Sequence, residues 1–164
     1  MEKIDRIEER MDVIDLGRGM PGFAAELSGY IKESDIRACI ACRTCVASCP
    51  ITAVEGRFNP LRIIRMVLYG MRDEILSSPW LWLCSNCYAC QERCPQGVSI
   101  SDLIALLKNL ALKQGYCPDG VQAQRDLIRK SGKIYPLDDF DNKKRKKAGL
   151  PSLPLSCDAV EKLL

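Results

Sequence analysis

The sequence predicts an all-α fold in which two cysteine-rich loops are set between helices. Three observations predict it. Apolar residues recur at steps of three and four on both sides of the second cysteine cluster, over 61–75 and 103–111. No segment shows the β-branched alternation of a strand. Eight of the ten cysteines gather in two compact runs, each closed by proline, instead of scattering along the helical faces.

The elements follow in chain order. Residues 1–16 are charged and carry Ile4, Ile7, Met11 and Ile14 at helical spacing. They predict a short amphipathic helix, marginal by itself in water, either half-frayed or docked on a partner. Gly17, Gly19, Pro21 and Gly22 break that pattern, and 23–32 predict a short helix leading into the first run. Asn59 suits an N-cap and Pro60 the first helical position. Leu61, Ile64, Leu68, Met71 and Ile75 then form a stripe, with Arg62, Arg65, Arg72 and Asp73 off it. This predicts one helix ending near Ser77, Ser78 and Pro79, with Gly70 close to its end. After the second run, Ser99 or Ser101 caps another helix, with Asp102 placed as in a capping box. Its buried stripe is Leu103, Ile104, Leu106, Leu107, Leu110 and Ala111, and Gly115 is its stop. Residues 119–131 predict one more helix, closed by Gly132. From Pro136 the chain is polar and turn-rich, and Pro151 and Pro154 argue for an extended end. The expected organisation is an arm at 1–22, a helical domain at 23–135 and an extended tail at 136–164.

The cysteines carry the chemistry. Cys39, Cys42, Cys45, Cys49 and Pro50 spell C-x2-C-x2-C-x3-C-P, and Cys84, Cys87, Cys90, Cys94 and Pro95 repeat it 45 positions later. This spacing is the bacterial-type run for [4Fe–4S] clusters. Three cysteines at x2 gaps wrap one face of a cubane and reach three of its irons. The fourth, beyond the wider gap, points away and ligates the other cluster, while the proline turns the chain out of the site. Two [4Fe–4S] clusters are therefore expected. One is assigned to Cys39, Cys42, Cys45 and Cys94, the other to Cys84, Cys87, Cys90 and Cys49. Crossed ligation would set the clusters side by side and staple the two halves of the chain.

Competing uses of these cysteines fit poorly. Zinc sites favour paired C-x2-C steps, often with histidine, and this chain has no histidine. The same absence excludes a Rieske centre and a C-x-x-C-H haem site. Disulfides need an oxidising compartment, and no signal peptide is read at the start, so a reduced cytoplasmic setting is expected. Over 164 residues the net charge is only +3, too small to argue for nucleic acid or a membrane surface. No apolar run approaches the ~18–20 residues needed to cross a bilayer. The run Lys143, Lys144, Arg145, Lys146 and Lys147 lacks interleaved aromatics and has acids beside it, so it reads as a solvated face or a contact to an acidic partner. Cys117 and Cys157 lie outside both runs and read as ordinary thiols.

The surroundings of the runs carry a resemblance. NPLRIIRMVLYG follows the first run, PWLWLCSNCYACQERCPQGVSISDLI surrounds the second, and ALLKNLALKQG and GKIYPLDD follow before a basic tail. Over roughly 23–150 the chain resembles the iron–sulfur C subunit of the heterodisulfide reductase family of methanogenic archaea and related anaerobes. The resemblance implies an α-helical ferredoxin fold with two [4Fe–4S] clusters. It implies a place between two other components of a heterodisulfide reductase. One is the flavin- and iron–sulfur-bearing subunit that bifurcates electrons. The other is the catalytic subunit, which reduces the coenzyme M–coenzyme B heterodisulfide at clusters held by CCG motifs. A hydrogenase or formate dehydrogenase would belong to the larger complex. The chain has neither a Cys-Cys-Gly sequence nor G-x-G-x-x-G, so the implied role is a wire without a catalytic residue.

Arg37, Arg43 and Arg93 sit in or beside the runs; turned inward they would raise the cluster potentials, turned outward they are surface charges. Trp80, Trp82 and Tyr88 either shield the second site from water or are plain core aromatics. The competing functions are a freestanding carrier, a component of a sulfur-oxidising relative and the iron–sulfur part of a succinate- or fumarate-type reductase. The last lacks its plant-type C-x4-C-x2-C domain here, and glycolate-oxidase-like chains would carry CCG domains. A structural prop in a nucleic-acid protein is a poor use of two adjacent clusters.

Overall fold

In the computed structural model, residues 17, 19–31 and 36–155 are described. The helix predicted over 1–16 and Cys157 lie outside them. The described residues form helices and loops with no strand. They fall into two compact units, within Met1–Tyr116 and Cys117–Leu164. No described helix is long and apolar enough to cross a membrane.

The first unit holds the core. Helix α1 (Phe23–Glu26) tightens into a 3-10 turn (Leu27–Gly29), shorter than the helix expected to residue 32. Phe23 and Leu27 are fully buried, which fixes this segment against the rest. Helices α2 (Thr44–Ala47) and α3 (Pro50–Val54) belong to the first cysteine run. Helix α4 (Pro60–Leu68) opens as expected: Asn59 Oδ1 accepts from Arg62 N–H at 3.1 Å and Pro60 stands at the first position. Its fully buried face is Ile63, Ile64 and Val67, with Leu61 and Leu68 only partly covered.

The single helix predicted from 60 to 77 is broken. Gly70 adopts φ +72° and ends α4, and the chain restarts as α5 (Arg72–Leu76). The break is a Schellman stop, with Met71 N–H on Met66 C=O (2.9 Å) and Gly70 N–H on Val67 C=O (3.0 Å). It also admits a neighbour. Met20 N–H donates to Gly70 C=O at 2.8 Å, and a Cβ at position 70 would collide with the Met20 backbone. Arg72 then ties three elements together: it pairs with Glu26 at 3.3 Å, lies over the Phe23 ring and donates to the Gln114 amide oxygen.

A 3-10 turn (Pro79–Leu83) leads into the second run, which contains α6 (Ala89–Glu92). Helix α7 (Ile100–Lys113) follows and buries Ile100, Leu103, Ile104, Leu107 and Ala111; Leu106 and Leu110 are partly covered. The expected capping box does not form. Ser99 stands at the N-cap without a side-chain bond. Gln91 Oε1 instead accepts from Ser101 N–H (3.2 Å), and Asp102 accepts from Gln91 Nε2 and Tyr88 Oη, both at 3.1 Å. The cysteine loop itself caps the helix.

In the second unit, α8 (Asp119–Ser131) is closed by Gly132, as predicted. The tail expected to be extended contains α9 (Asp139–Lys147). Asp138 and Asp141 form a reciprocal capping box, Asp141 N–H reaching Asp138 Oδ1 at 2.8 Å. Acids in the first turn and bases in the last both favour the helix dipole.

Candidate metal centre

The 45-residue repeat in sequence is a repeat in conformation. In the first run Ala41 and Arg43 have φ +56° and +66°; in the second Asn86 and Tyr88 have +52° and +61°. Each pair is followed by a one-turn helix, α2 or α6, that carries the third cysteine. The hydrogen bonds repeat too. Cys49 N–H donates to Val46 C=O at 3.2 Å, and Cys94 N–H to Gln91 C=O at 3.1 Å. None of the four left-handed residues is glycine, and each costs roughly 1–2 kcal/mol relative to the right-handed region. Such strain persists where the surroundings over-determine it, commonly at functional sites. Alternating left-handed residues are the backbone pattern of a nest, whose N–H groups make the anion-holding concavity found at phosphates and iron–sulfur centres.

The two loops enclose two small cavities. Cys39, Cys42, Cys45 and Cys94 stand in the walls of one, with Leu61, Ile64 and Ile100. Cys49, Cys84, Cys87 and Cys90 stand in the walls of the other, with Phe58, Tyr88, Ser101 and Ile104. Each wall therefore joins the first three cysteines of one run to the last cysteine of the other. Helices α2 and α6 pack together between them. Cys45 and Cys90 on those helices are buried, whereas Cys42 and Cys87 at the loop tips are exposed. Among the described residues no three His, Cys, Asp or Glu side chains are grouped closely enough to hold a single metal ion. An all-sulfur donor set suits iron in a cluster.

Comparison with known proteins agrees with this chemistry. Residues 35–98 match the 4Fe-4S dicluster domain family. The chain is 42% identical over 135 residues to the C subunit of the H2:CoB–CoM heterodisulfide,ferredoxin reductase of Methanothermobacter marburgensis, covering 79% of this chain and 71% of that one. It is 34% identical over 168 residues to the iron-sulfur C subunit of the CoB–CoM heterodisulfide reductase of Methanopyrus kandleri, covering 96% and 85%. It is 39% identical over 131 residues to the C subunit of the ferredoxin:CoB–CoM heterodisulfide reductase of Methanosarcina mazei, covering 79% and 80%. The chain belongs to the family of heterodisulfide reductase C subunits. It is an iron–sulfur component of an oxidoreductase complex, all-α in fold, with two [4Fe–4S] clusters.

The surroundings of the thiols in this C subunit differ from one to the next. The Thr44 hydroxyl, 3.3 Å from Cys42 Sγ, holds the Cys42 thiol below its usual range. Burial pushes Cys45 up to about 11, helped by the nearby sulfurs of Cys39 and Cys90. Burial also raises Cys90, against the opposing effect of the Ser101 hydroxyl at 3.4 Å. A bare thiolate is costly at such positions, and a cation held against these sulfurs would offset that cost. Val98 N–H donates to Cys94 Sγ at 3.4 Å.

Sequence reasoning chose some neighbours well and missed others. Arg43 is exposed but lines the first cavity, along with a groove of about 490 Å³ that also holds Arg62, Arg65 and Tyr69. Arg37 lines a different recess, with Phe23 and Gly70. Arg93 is exposed and its guanidinium lies 3.5 Å from the Ser48 hydroxyl. Of the three aromatics, Tyr88 lines the second cavity; Trp80 and Trp82 pack against the core, Trp80 beneath Arg62. The missed residues are Phe58, Ser101 and Lys108. Phe58 is fully buried and precedes the N-cap, the position of a hydrophobic staple onto Ile63. Lys108 donates to Cys84 C=O at 2.7 Å, and burial lowers its pKa against the opposing pull of Cys84. Ser101 and Lys108 carry a readable signal, since each lies within a helical turn of Ile104 on the apolar side of α7. Cys117 is half-buried in the second unit, and it lines neither cavity.

Proposed function

We propose that this chain is the electron relay of a CoB–CoM heterodisulfide reductase complex. One cluster is held by Cys39, Cys42, Cys45 and Cys94, the other by Cys84, Cys87, Cys90 and Cys49. The observation that carries the reading is the pair of adjacent cavities, each walled by three cysteines of one run and the last of the other. When bound, the clusters supply one-electron redox chemistry over a potential range set by charge, burial and sulfur hydrogen bonds.

The chain's own residues do the rest. Eight thiolates hold the inorganic cores. Ile64, Ile100, Phe58 and Ile104 exclude water from the cavity walls. Ser101 and Thr44 direct hydroxyls at Cys90 and Cys42, and the Val98 amide bonds Cys94, so that negative charge on sulfur meets donors. Lys108 places a cation beside the backbone of Cys84.

No residue of the chain acts on substrate in this reading. The flavin- and iron–sulfur-bearing subunit delivers electrons, and the CCG-motif subunit reduces the coenzyme M–coenzyme B heterodisulfide. One relative is named for hydrogen and another for hydrogen or formate, which supports a reading in which a hydrogenase or formate dehydrogenase feeds the larger assembly. The setting is the cytoplasm, where thiols stay reduced. The test is anaerobic. The reconstituted chain, reduced and mixed with the CCG-motif subunit, should be reoxidised only when heterodisulfide is added. Reoxidation that ignores heterodisulfide, or an iron content well below about eight per chain, would contradict the relay.

A further inference from the structure

The second unit lacks a buried core among its described residues. Among residues 117–155 no side chain is buried. Several of its large apolar residues face solvent, although Leu127, Ile128 and Leu137 are half-buried: Ile134 is 70% exposed, Tyr135 62%, Phe140 61%, Leu150 49% and Leu155 46%. Polar bonds hold it in shape. The Asn142 amide makes two bonds to the backbone of Leu153, both 2.9 Å, one donated and one accepted. Arg145 Nε donates to Pro151 C=O at 2.9 Å, and Lys133 Nζ donates to Pro154 C=O. The chain reverses after α9 through Leu150 N–H on Arg145 C=O at 2.9 Å. Residues 150–154 are thus pinned along α9 and beside Lys133 while their leucines point outward.

A helix of nine residues with little apolar burial is marginal in water. Monomers rarely leave a contiguous apolar patch beyond a few hundred Å² uncovered. Pinning an apolar display in advance lowers the ordering cost of binding. We propose that residues 133–155 form a docking surface for a partner protein that presents an apolar furrow rimmed by carboxylates.

Charge selects that occupant. Lys143, Lys144, Arg145, Lys146 and Lys147 fill the last turns of α9, and Lys144 Nζ lies 4.4 Å from the centre of the Phe140 ring. Basic and apolar groups therefore share one surface. A second copy of this chain would bring the same cations face to face. A bilayer would require one apolar helical stripe, but α9 has Phe140 as its only apolar residue, and the other apolar groups come from loop and tail. An acidic rim around an apolar furrow satisfies both features, and its charges would speed encounter and fix register.

The proposal rests on the relay reading only for the partner's place in the same complex, and its test uses binding as readout. The full-length, cluster-loaded chain is immobilised. The flavin-bearing and CCG-motif subunits, purified separately, are passed over it at low and high salt. Variants are Phe140→Ser with Tyr135→Ser, Lys143→Glu with Lys144→Glu, and Lys130→Glu on α8 as a control. Far-UV circular dichroism and iron content establish that each is folded and loaded. The expected result is that one of the two partners loses about tenfold or more in affinity with each double variant and keeps it with the control. The charge variant should also flatten the salt dependence. Unchanged affinity for both partners overturns the proposal. So does a dimer of the free chain abolished by the same variants, or equally tight binding to phosphatidylserine vesicles. Chemical reducibility of the clusters is recorded alongside: a chain that binds but does not relay electrons refutes the relay and leaves the docking surface standing.

Discussion

Replacing Ser101 by alanine should lower the reduction potential of one cluster and leave the other alone. Ser101 is 2% exposed, and its Oγ lies 3.4 Å from Cys90 Sγ. A metal-bound thiolate has no proton, so the hydroxyl must be the donor. A hydrogen bond to a charged group contributes about 1.5–3 kcal/mol. Reduction adds one negative charge spread over the whole cluster, so a single sulfur gains only part of it. If about a third of the bond energy is differential, the reduced state loses about 0.5–1 kcal/mol when the hydroxyl goes. At about 59 mV per 1.4 kcal/mol for one electron, the potential falls by about 20–40 mV. The second cavity, with Cys84, Cys87, Cys90 and Cys49 in its walls, is the one affected. The assay is a redox-poised electron paramagnetic resonance titration of wild type and variant, with iron content as the check on loading. Equal shifts at both clusters, an upward shift, or none at all would refute the reasoning.

Two further outcomes follow from particular contacts. Gly70→Ala places a side chain at φ +72° against the Met20 backbone. The left-handed conformation costs about 1–2 kcal/mol, and loss of the bond between Met20 and Gly70 adds about 1 kcal/mol. At about 2–4 °C per kcal/mol for a chain of this size, the anaerobic Tm should fall by about 4–12 °C; a fall within about 1 °C would show that Met20 gives way freely. Glu55 is held at about 2 by bonds from the Arg57 guanidinium and backbone N–H. Its folded pKa is depressed, so its small contribution is present above the ordinary carboxylate value and is lost as pH falls through about 2. Carboxyl-resolved NMR should find that midpoint in wild type and a return towards 4.5 in Arg57→Gln; an unmoved midpoint in the variant would mean that Arg57 is not the cause.

Much of this was legible because short-range chemistry decided it. Cysteine spacing reports cluster type directly, and Asn59-Pro60 reports a helix start, since both act within a few residues. Most of what escaped depended on contacts distant in sequence. Gly70 looks like a weak spot inside a helix until Met20 is seen to occupy the space beside it. Ser99 and Asp102 match a capping box, but Tyr88 and Gln91 from the second cysteine loop claim the Asp102 carboxylate first. The left-handed backbone at Ala41, Arg43, Asn86 and Tyr88 leaves almost no mark in residue type, because the loop geometry, not local preference, imposes it. The acids at 138–141 read as turn composition although Asp138 and Asp141 form a cap. At Ser101 and Lys108 the mark was present: polar residues on an apolar helical face.

The interlocked use of the two runs is tested most directly by serine substitutions compared by low-temperature electron paramagnetic resonance of the reduced chain. Cys42 belongs to the first run and Cys87 to the second, and Cys94 follows Cys87 in sequence but shares its cavity with Cys42. Cys94→Ser should therefore alter the same cluster signal as Cys42→Ser and spare the signal altered by Cys87→Ser. If Cys94→Ser and Cys87→Ser alter one common signal, each run closes its own cluster and the crossed arrangement is wrong.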